Sequence, residues 1–420
     1  MDNPVRTTIS QGMGTKFDII VAGAGLNGCT MALALAASGF SVALIDRQDF
    51  AAMKDAEFDG RGYAIAHASH RMLKALGIWA ALGDHTTPML KIKISDGRPG
   101  EGGGPHVLEF DHAEIEEGPM GFMVEDRVLR PVLIEQCQAH PLIEVFAPVA
   151  VNDATQNSAA TSVTLSDGQG LRARLVVGCD GANSPLAEAA GISRSFTDYG
   201  QTALVCAVSH AKPHDGTAHQ FFMPAGPLAI LPLTDNRSSI VWAETTENAA
   251  RIARLDDEAF LAELRPRFGD FLGPIALAGK RFDYPLVLST AENLVADRLA
   301  LVGDAGHKVH PIAGQGLNAG LRDVATLAEV LTLAKRRGED VGASDVLARY
   351  QRWRAFDVKS LTLATHGFNK LFSNDNMWLR MGRDLGLDAV AASPALRISF
   401  IREAAGLTGE LPALLEGRAI

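Results

Sequence analysis

Three glycines near the start of the chain have the spacing of a phosphate-binding turn. The apolar run Ile19–Ala22 leads into Gly23, Gly25 and Gly28, and an alanine-rich helical pattern follows. In such a unit the first glycine permits the tight turn, the second lets the backbone approach a pyrophosphate, and the third lets helix and strand pack closely. The helix N-terminus adds N–H donors and a partial positive charge. The spacing therefore predicts a dinucleotide-binding turn.

An acidic residue and a second glycine-rich segment extend this pattern. Residues 40–46 read as a second strand that ends in Asp46, where a carboxylate can accept hydrogen bonds from an adenosine ribose. Far along the chain, residues 303–323 (GDAGHKVHPIAGQGLNAGLRD) place Asp304 at a strand end and several glycines before a helix. The sequence has one complete strand, turn and helix unit, so we predict one resident dinucleotide and a second nucleotide that binds transiently.

The composition favours a soluble enzyme. The chain has 420 residues, 47% of them hydrophobic, which suffices for two or three domains with large cores. Its 39 Lys and Arg against 49 Asp and Glu give a net charge of −10, so we expect no nucleic-acid partner. The four cysteines are widely separated, which predicts reduced thiols in the cytoplasm. No segment has the apolar length of a signal-peptide core or a membrane span, so membrane contact is expected to be peripheral at most.

The order of the elements predicts a discontinuous α/β domain with an inserted sheet. Strands, glycine turns and helices alternate in the first part, as in a doubly wound fold. Short apolar runs separated by Pro, Gly, Asn and Asp predict an antiparallel substrate-binding sheet. The predicted boundaries are 14–80, 120–192 and 286–343 for the nucleotide-binding domain, 81–119 and 193–285 for the substrate-binding sheet domain, and 344–420 for a C-terminal helical region.

Three ordered segments resemble the signatures of one enzyme family. GAGLNG (Gly23–Gly28), GCDGANS (Gly178–Ser184) and the segment 303–323 are similar to the dinucleotide, DG and GD motifs of class A flavoprotein aromatic hydroxylases, the para-hydroxybenzoate hydroxylase group. Within that group, residues 61–79, 201–233 and 374–387 look most like the ubiquinone-biosynthesis hydroxylases. The resemblance implies a Rossmann-like FAD-binding domain, an inserted antiparallel sheet and a C-terminal helical region.

The resemblance also assigns residues to a resident FAD. Pro311, Gly314 and Gln315 would lie beside the isoalloxazine, and no catalytic base is assigned because the flavin carries the chemistry. Ala187 departs from the DG motif, which often has arginine there. The implied cofactor-binding residues are Gly23, Gly25, Gly28, Asp46, Arg61, Arg127, Asp180, Gly181, Asp304, Pro311, Gly314, Gly316, Leu317 and Asn318.

The resemblance implies hydroxylation of an aromatic ring. NAD(P)H would reduce the FAD, and O₂ would form a flavin C4a-hydroperoxide whose terminal oxygen passes to an electron-rich ring in a dry pocket. The implied substrate is a polyprenylated phenol of ubiquinone biosynthesis, and the implied partners are a quinone-biosynthesis protein complex and the inner face of a membrane. The apolar run 227–233 is a candidate pocket wall. The pocket candidates are Phe222, Leu228, Ile230 and Pro232.

Other interpretations stay open at this point. The protein could hydroxylate a small soluble aromatic acid, which an arginine in the sheet domain would favour, or serve as a non-catalytic flavin-binding subunit of a biosynthetic complex. His307 and His310 lack a third ligand, so no metal site is expected. The apolar and basic residues of 368–383 could dock on an anionic membrane surface or pack against the core, and we favour packing.

Overall fold

The strands belong to three sheets. The computed structural model describes residues 17–54, 60–100, 102–157, 159–308, 315–355 and 388–420, with the single residues 357 and 386. The strands in these ranges are β1 (Phe17–Ala22), β2 (Val42–Ile45), β3 (Gly62–Ala66), β4 (Thr86–Met89), β5 (Lys91–Arg98), β6 (Gly102–Asp111), β7 (Gly121–Glu125), β8 (Ile143–Phe146), β9 (Val151–Gln156), β10 (Thr161–Leu165), β11 (Gly170–Gly178), β12 (Arg194–His210), β13 (Thr217–Met223), β14 (Gly226–Leu233), β15 (Arg237–Thr245), β16 (Ile275–Leu277), β17 (Phe282–Ala291), β18 (Val295–Ala296), β19 (Leu299–Leu301) and β20 (His307–Lys308).

Helices cover the sheets and connect their strands. The α-helices are α1 (Leu26–Ala37), α2 (Phe50–Lys54), α3 (His67–Ala75), α4 (Asp126–Ala139), α5 (Pro185–Ala189), α6 (Thr246–Ala253), α7 (Asp257–Phe268), α8 (Gln315–Arg336) and, near the C-terminus, Pro394–Ala404. Residues 344–355 and 388–392 are also helical. Single 3₁₀ turns span Trp79–Leu82, His112–Glu114, Gly303–Ala305 and Ala413–Glu416.

The first sheet is built around the strand that enters the first glycine turn. Within the described ranges it has eight strands, in the order β18-β19-β11-β1-β2-β8, with β10 and β9 continuing from β11. β1 pairs in parallel with β2 and β11, and β11 pairs in parallel with β19. Helices on both faces bury such strands completely, and Ile19, Ile20 and Val21 have no exposed surface. The carboxyl ends of these strands therefore meet at one edge of the sheet.

The second sheet forms a large wall beside that edge. In the described residues it has nine strands in the order β20-β17-β12-β15-β14-β13-β5-β6, with β16 paired to β12. Its pairings are antiparallel except for β13 with β5. α6 and α7 cover one face, where Trp242, Phe260 and Ile252 share a core cluster. The third sheet, β3-β7-β4, lies between these units. This architecture confirms the predicted fold class, while the exact domain boundaries stay predictions.

A buried ion-pair network supports the second glycine turn. Asp323 on α8 is fully buried, and its Oδ2 accepts hydrogen bonds from the Gly303 N–H at 2.9 Å and from His307 Nε2 at 2.7 Å. Its Oδ1 accepts from Arg354 Nε at 2.6 Å. Burial raises the pKa of Asp323, but the neighbouring His307 and Arg354 outweigh it and hold that pKa below the usual range. The network ties the turn, α8 and the helical residues 344–355 into one unit.

We expect Asp323→Asn to lower the free energy of unfolding by about 3 to 5 kcal/mol, because Arg354 would lose its buried counter-charge. Chemical denaturation of the purified protein measures the change. The difference should be complete above the unfolded-state pKa of aspartate, about 3.9, and shrink as the pH falls toward the lowered folded-state pKa.

Asp345→Asn is the matched control for this prediction. Asp345 also pairs with an arginine, Arg349, at 3.3 Å, but its side chain is 72% exposed. We expect a loss below about 1 kcal/mol there. Equal losses in the two variants would contradict the role assigned to the buried network.

Candidate functional site

A cavity of about 470 Å³ joins the carboxyl edge of the first sheet to the uncovered face of the second. Its glycine-rich end is formed by the first turn, the loop after β11 and the start of α8. Its other end is a wall of strands from the second sheet. The residues at the glycine-rich end include Gly25, Leu26, Asn27, Gly28, Cys179, Gly181, Asp304, Lys308, Gly316 and Leu317. The cavity therefore touches all three segments that carry the sequence motifs.

The glycines of the first turn have two different tasks. Gly23 has a φ of +98°, and a Cβ there would lie 2.3 Å from the Cys179 carbonyl oxygen. A Cβ on Gly28 would lie 1.8 Å from the Gly23 carbonyl oxygen. Gly25 lines the cavity, yet a Cβ there would meet no protein atom within 4 Å. Gly23 and Gly28 therefore let the turn pack, whereas Gly25 keeps the backbone open toward a ligand.

Asn27 joins the first turn to the second glycine segment. A Cβ on Gly303 would lie 2.4 Å from Asn27 Nδ2, and a Cβ on Gly320 would lie 2.2 Å from the same atom. The sequence motifs mark the glycines but give no sign that Asn27 is their meeting point. Through this contact, α1 and α8 pack closely enough for both turns to border one cavity.

Asp46 braces the first turn. Its Oδ2 accepts a hydrogen bond from the Ala24 N–H at 2.6 Å, and its Oδ1 accepts from the Gln48 N–H at 2.8 Å. The residue stands at the end of β2 as predicted, but it is not among the residues that line the cavity. Its carboxylate is therefore positioned beside the turn by backbone donors.

Two carboxyl groups and an arginine meet at the ends of β11 and β19. Asp180 Oδ2 accepts from the Leu186 N–H at 3.3 Å, while Oδ1 is buried without a hydrogen-bond partner among the described residues. Burial raises the pKa of Asp180 and of Asp304, although the Asp304 side chain reaches solvent through the cavity. Arg194 donates to the Asp304 carbonyl oxygen at 3.2 Å and also to that of Ala305. Its charge favours the ionised form of both carboxyl groups.

Arg194 is a site residue that the sequence motifs missed. The departure at Ala187 lies in a core cluster, where its side chain is fully buried. Arg194 instead supplies a cation to this corner from the first residue of β12. An isolated arginine at the start of a strand carries no motif, so its position beside Asp304 emerges only in the fold.

The structure places both predicted arginines beside carboxylates rather than on the cavity wall. Arg61 Nη2 lies 3.3 Å from Asp126 Oδ2, and Arg127 Nε lies 2.6 Å from Glu125 Oε2. Both arginines are about two-fifths exposed, at 44% and 39%. Arg61 directly precedes Gly62 and Tyr63, which do line the cavity. Arg61 thus stands near the rim, whereas Arg127 is not adjacent in sequence to any residue that lines the cavity.

The start of α8 completes the glycine-rich end. Gly316 and Leu317 line the cavity, and a Cβ on Gly316 would meet no protein atom within 4 Å. Asn318 does not line the cavity. Its Nδ2 donates to the Ala64 carbonyl at 2.8 Å and its Oδ1 accepts from the Ala66 N–H at 2.8 Å, which fastens α8 to β3.

Several predicted positions lie outside the described residues. These are Pro311, Gly314, His310 and residues 368–383, and for Gln315 only the helical backbone is described. In the ranges that are described, no group of three or more His, Cys, Asp or Glu could hold a metal ion. No helix in those ranges is long and apolar enough to cross a bilayer.

The cavity wall includes the predicted strand, β14, but the face of β14 that borders the cavity is opposite to the predicted one. Ala229 and Leu231 of β14 line the cavity. Leu228 and Ile230 point the other way, into the cluster beneath α6 and α7. Pro232, two residues after Ile230, lies on the same face of β14 as Leu228 and Ile230.

Phe222, two residues after Gln220 on β13, has the same alternation as Gln220 but does not line the cavity. The prediction of Leu228, Ile230 and Pro232 as pocket residues is therefore wrong. The cavity-lining residues of β14 are Ala229 and Leu231, because successive side chains of a strand point to opposite faces. The observed wall consists of Gln220, Ala229, Leu231, Val241, Tyr284, Pro285, Leu286 and Val287.

Comparisons with known proteins agree with this geometry. A family model described as FAD binding domain matches residues 16–363. Ubiquinone hydroxylase UbiL of Rhodospirillum rubrum is 44% identical over 420 residues, which cover 99% of this chain and 96% of that protein. The 3-demethoxyubiquinol 3-hydroxylase of Escherichia coli is 34% identical over 393 residues, covering 93% and 98%.

A solved structure shows the same fold. p-Nitrophenol 4-monooxygenase PnpA from Pseudomonas putida superimposes with a TM-score of 0.78 at 19% identity, covering 95% of this chain and 100% of that one. The resemblance carried by the three sequence motifs is thereby confirmed. The chain belongs to the FAD-binding-domain family of flavoprotein aromatic monooxygenases.

Proposed function

We propose that this protein hydroxylates the aromatic ring of a polyprenylated phenol in ubiquinone biosynthesis, using FAD, O₂ and transiently bound NAD(P)H. The observation that carries this proposal is the continuous cavity from the first glycine turn to the apolar wall of the second sheet. Relatives named as a ubiquinone hydroxylase and a 3-demethoxyubiquinol 3-hydroxylase support the substrate class.

The glycine-rich end of the cavity fits FAD. Gly25 offers open backbone beside the N-terminus of α1, whose N–H groups and dipole suit a pyrophosphate. Asp46, which is held beside the first turn, would bind the ribose. The accessible Asp304 carboxyl group can accept hydrogen bonds from ribityl hydroxyls, and Asp180 would support this end from between the cavity-lining Cys179 and Gly181. Gly181, Gly316 and Leu317 would border the rest of the cofactor.

The protein's contribution is to hold the cofactor, to orient the substrate ring and to exclude water from the sheet end of the cavity. Bound FAD supplies the redox chemistry with NAD(P)H and O₂. Leu231, Val241 and Leu286 exclude water from the sheet end and provide apolar contact for a ring. Ala229 is the smallest side chain of that wall and leaves room between strands. Positioning a ring against the cofactor in this way contributes to catalysis by orientation.

The wall itself argues against a small aromatic acid as substrate. The part formed by β13, β14 and β15 consists of Gln220, Ala229, Leu231 and Val241, and it has no charged side chain in the described residues. Lys308 also lines the cavity, but its charge acts on Asp304 at the cofactor end. A carboxylate on the ring would therefore be buried without a counter-charge at the sheet end, which is costly.

We also propose a cytoplasmic protein that contacts the inner face of the membrane peripherally. A polyprenylated phenol partitions into the bilayer, so the enzyme must receive it there. A quinone-biosynthesis protein complex would serve the same delivery. Co-sedimentation of the purified protein with vesicles, and its isolation from membranes at low and high salt, would distinguish direct contact with the membrane from delivery through a protein complex.

We expect Gly25→Val to weaken FAD binding while the protein still folds. The Cβ of the new side chain would meet no protein atom within 4 Å, and the side chain would occupy the place proposed for the pyrophosphate. Flavin-to-protein absorbance ratios and fluorescence titration of the apoprotein should show a loss of affinity of at least about tenfold. The far-ultraviolet circular dichroism spectrum should remain that of the wild type.

Gly170→Val is the control for this substitution. A Cβ on Gly170 also meets nothing within 4 Å, but this residue begins β11 away from the cavity. This variant should purify with its full FAD content. A Gly25→Val protein with normal FAD content would contradict the proposed cofactor position.

Turnover gives the direct test of the function. With ortho-geranylphenol and isotope-labelled O₂, we expect NAD(P)H oxidation to accelerate and one labelled oxygen atom to appear in the hydroxylated product, detected by mass spectrometry. Turnover on para-hydroxybenzoate alone would support the aromatic-acid alternative instead. FAD binding without NAD(P)H-dependent O₂ consumption on any phenol would favour a non-catalytic flavin subunit.

A further inference from the structure

One polar side chain stands in the apolar row of the sheet wall. Gln220 on β13 is cross-strand partner to Ala229, and Ala229 is partner to Val241. These three residues form a continuous row across β13, β14 and β15, and all three line the cavity. The neighbouring Phe221 belongs to the core cluster beneath α6 and α7, so strand alternation directs Gln220 toward the cavity.

Within the described ranges, the Gln220 amide makes no hydrogen bond to another residue. The residue is only 9% exposed, and its amide atoms are not among the side-chain atoms buried without a partner, so they reach the open space of the cavity. Gln201 in the same sheet shows the contrast, because its Nε2 donates to the Ala225 carbonyl at 2.6 Å. Water in the cavity can satisfy this amide, and a ligand that replaces the water can take over its hydrogen bonds.

The chemistry of an amide determines which ligand it can select. Its NH₂ group donates and its carbonyl accepts, so it can bind a phenol hydroxyl, a methoxyl or a ring carbonyl without changing charge. It offers no positive charge to balance a carboxylate. Its neighbours Ala229 and Val241 provide apolar contact for the ring itself.

We propose that Gln220 determines substrate specificity by hydrogen-bonding an uncharged oxygen substituent of the ring, and that it thereby selects neutral phenols over aromatic acids. This assignment rests on the proposed function for the identity of the substrate. It goes beyond that function by naming the side chain that orients the ring. Gln220 is a substrate-positioning residue, with no role in holding the flavin.

Gln220→Leu tests the assignment, because it keeps a similar volume and removes both hydrogen-bonding groups. Binding of ortho-geranylphenol, followed by the change in absorbance of the bound FAD, should weaken about tenfold. More NAD(P)H should be oxidised with release of hydrogen peroxide in place of product, since the ring is held less well. FAD content and thermal midpoint should match the wild type.

Two further variants sharpen the test. Gln156→Leu makes the same change on the exposed strand β9 of the first sheet, and it should leave phenol binding and coupling unchanged. Gln220→Arg adds the missing cation, and it should strengthen binding of para-hydroxybenzoate relative to ortho-geranylphenol by about tenfold.

The outcomes separate this proposal from the proposed function. Unchanged phenol affinity and coupling in Gln220→Leu, with full FAD content, would overturn the role of Gln220 even if the wild type hydroxylates the phenol. Weakened phenol binding in Gln220→Leu would support that role even if the wild type forms no hydroxylated product. The absence of product would overturn the proposed function alone.

Discussion

The close contact of α1 with α8 around Asn27 is the constraint on which the site depends. Asn27 lies where a side chain on Gly303 or Gly320 would have to be, so the two glycine segments can touch only because those residues lack a Cβ. The first turn closes in the same way, with Gly28 against the Gly23 carbonyl. A methyl group on Gly303 or Gly320 would push α1 and α8 apart and open the cavity at its glycine-rich end.

Much of the nucleotide-binding half follows from local sequence. Gly23, Gly25 and Gly28 directly follow an apolar strand, and Asp46 ends the next one, so their tasks depend on geometry that a few adjacent residues determine. The family resemblance then extended this pattern to Asp180 and Asp304. Both residues stand at the carboxyl ends of strands in the same sheet, as expected for parallel strands.

The substrate half could be predicted only in outline. The run 227–233 is apolar on both faces, so its alternation carries no signal for which side faces the cavity. The packing of α6 and α7 decides which face borders the cavity. These helices cover the face that carries Leu228 and Ile230, so the other face is left for the cavity. Arg354 and Arg194 could not be predicted for a related reason. Their partners, Asp323 and Asp304, are distant in sequence, and a single charged residue has no local pattern.

The strand order of the first sheet has a consequence for maturation. β1 and β11 form the centre of the edge, but β19 and α8 come from the last third of the chain and close one side of the cavity. A growing chain that ends before α8 has the first turn but lacks the backbone that packs on Asn27. Closure of the glycine-rich end of the cavity is therefore a late event, which must follow synthesis of α8 and the ordering of contacts between distant segments.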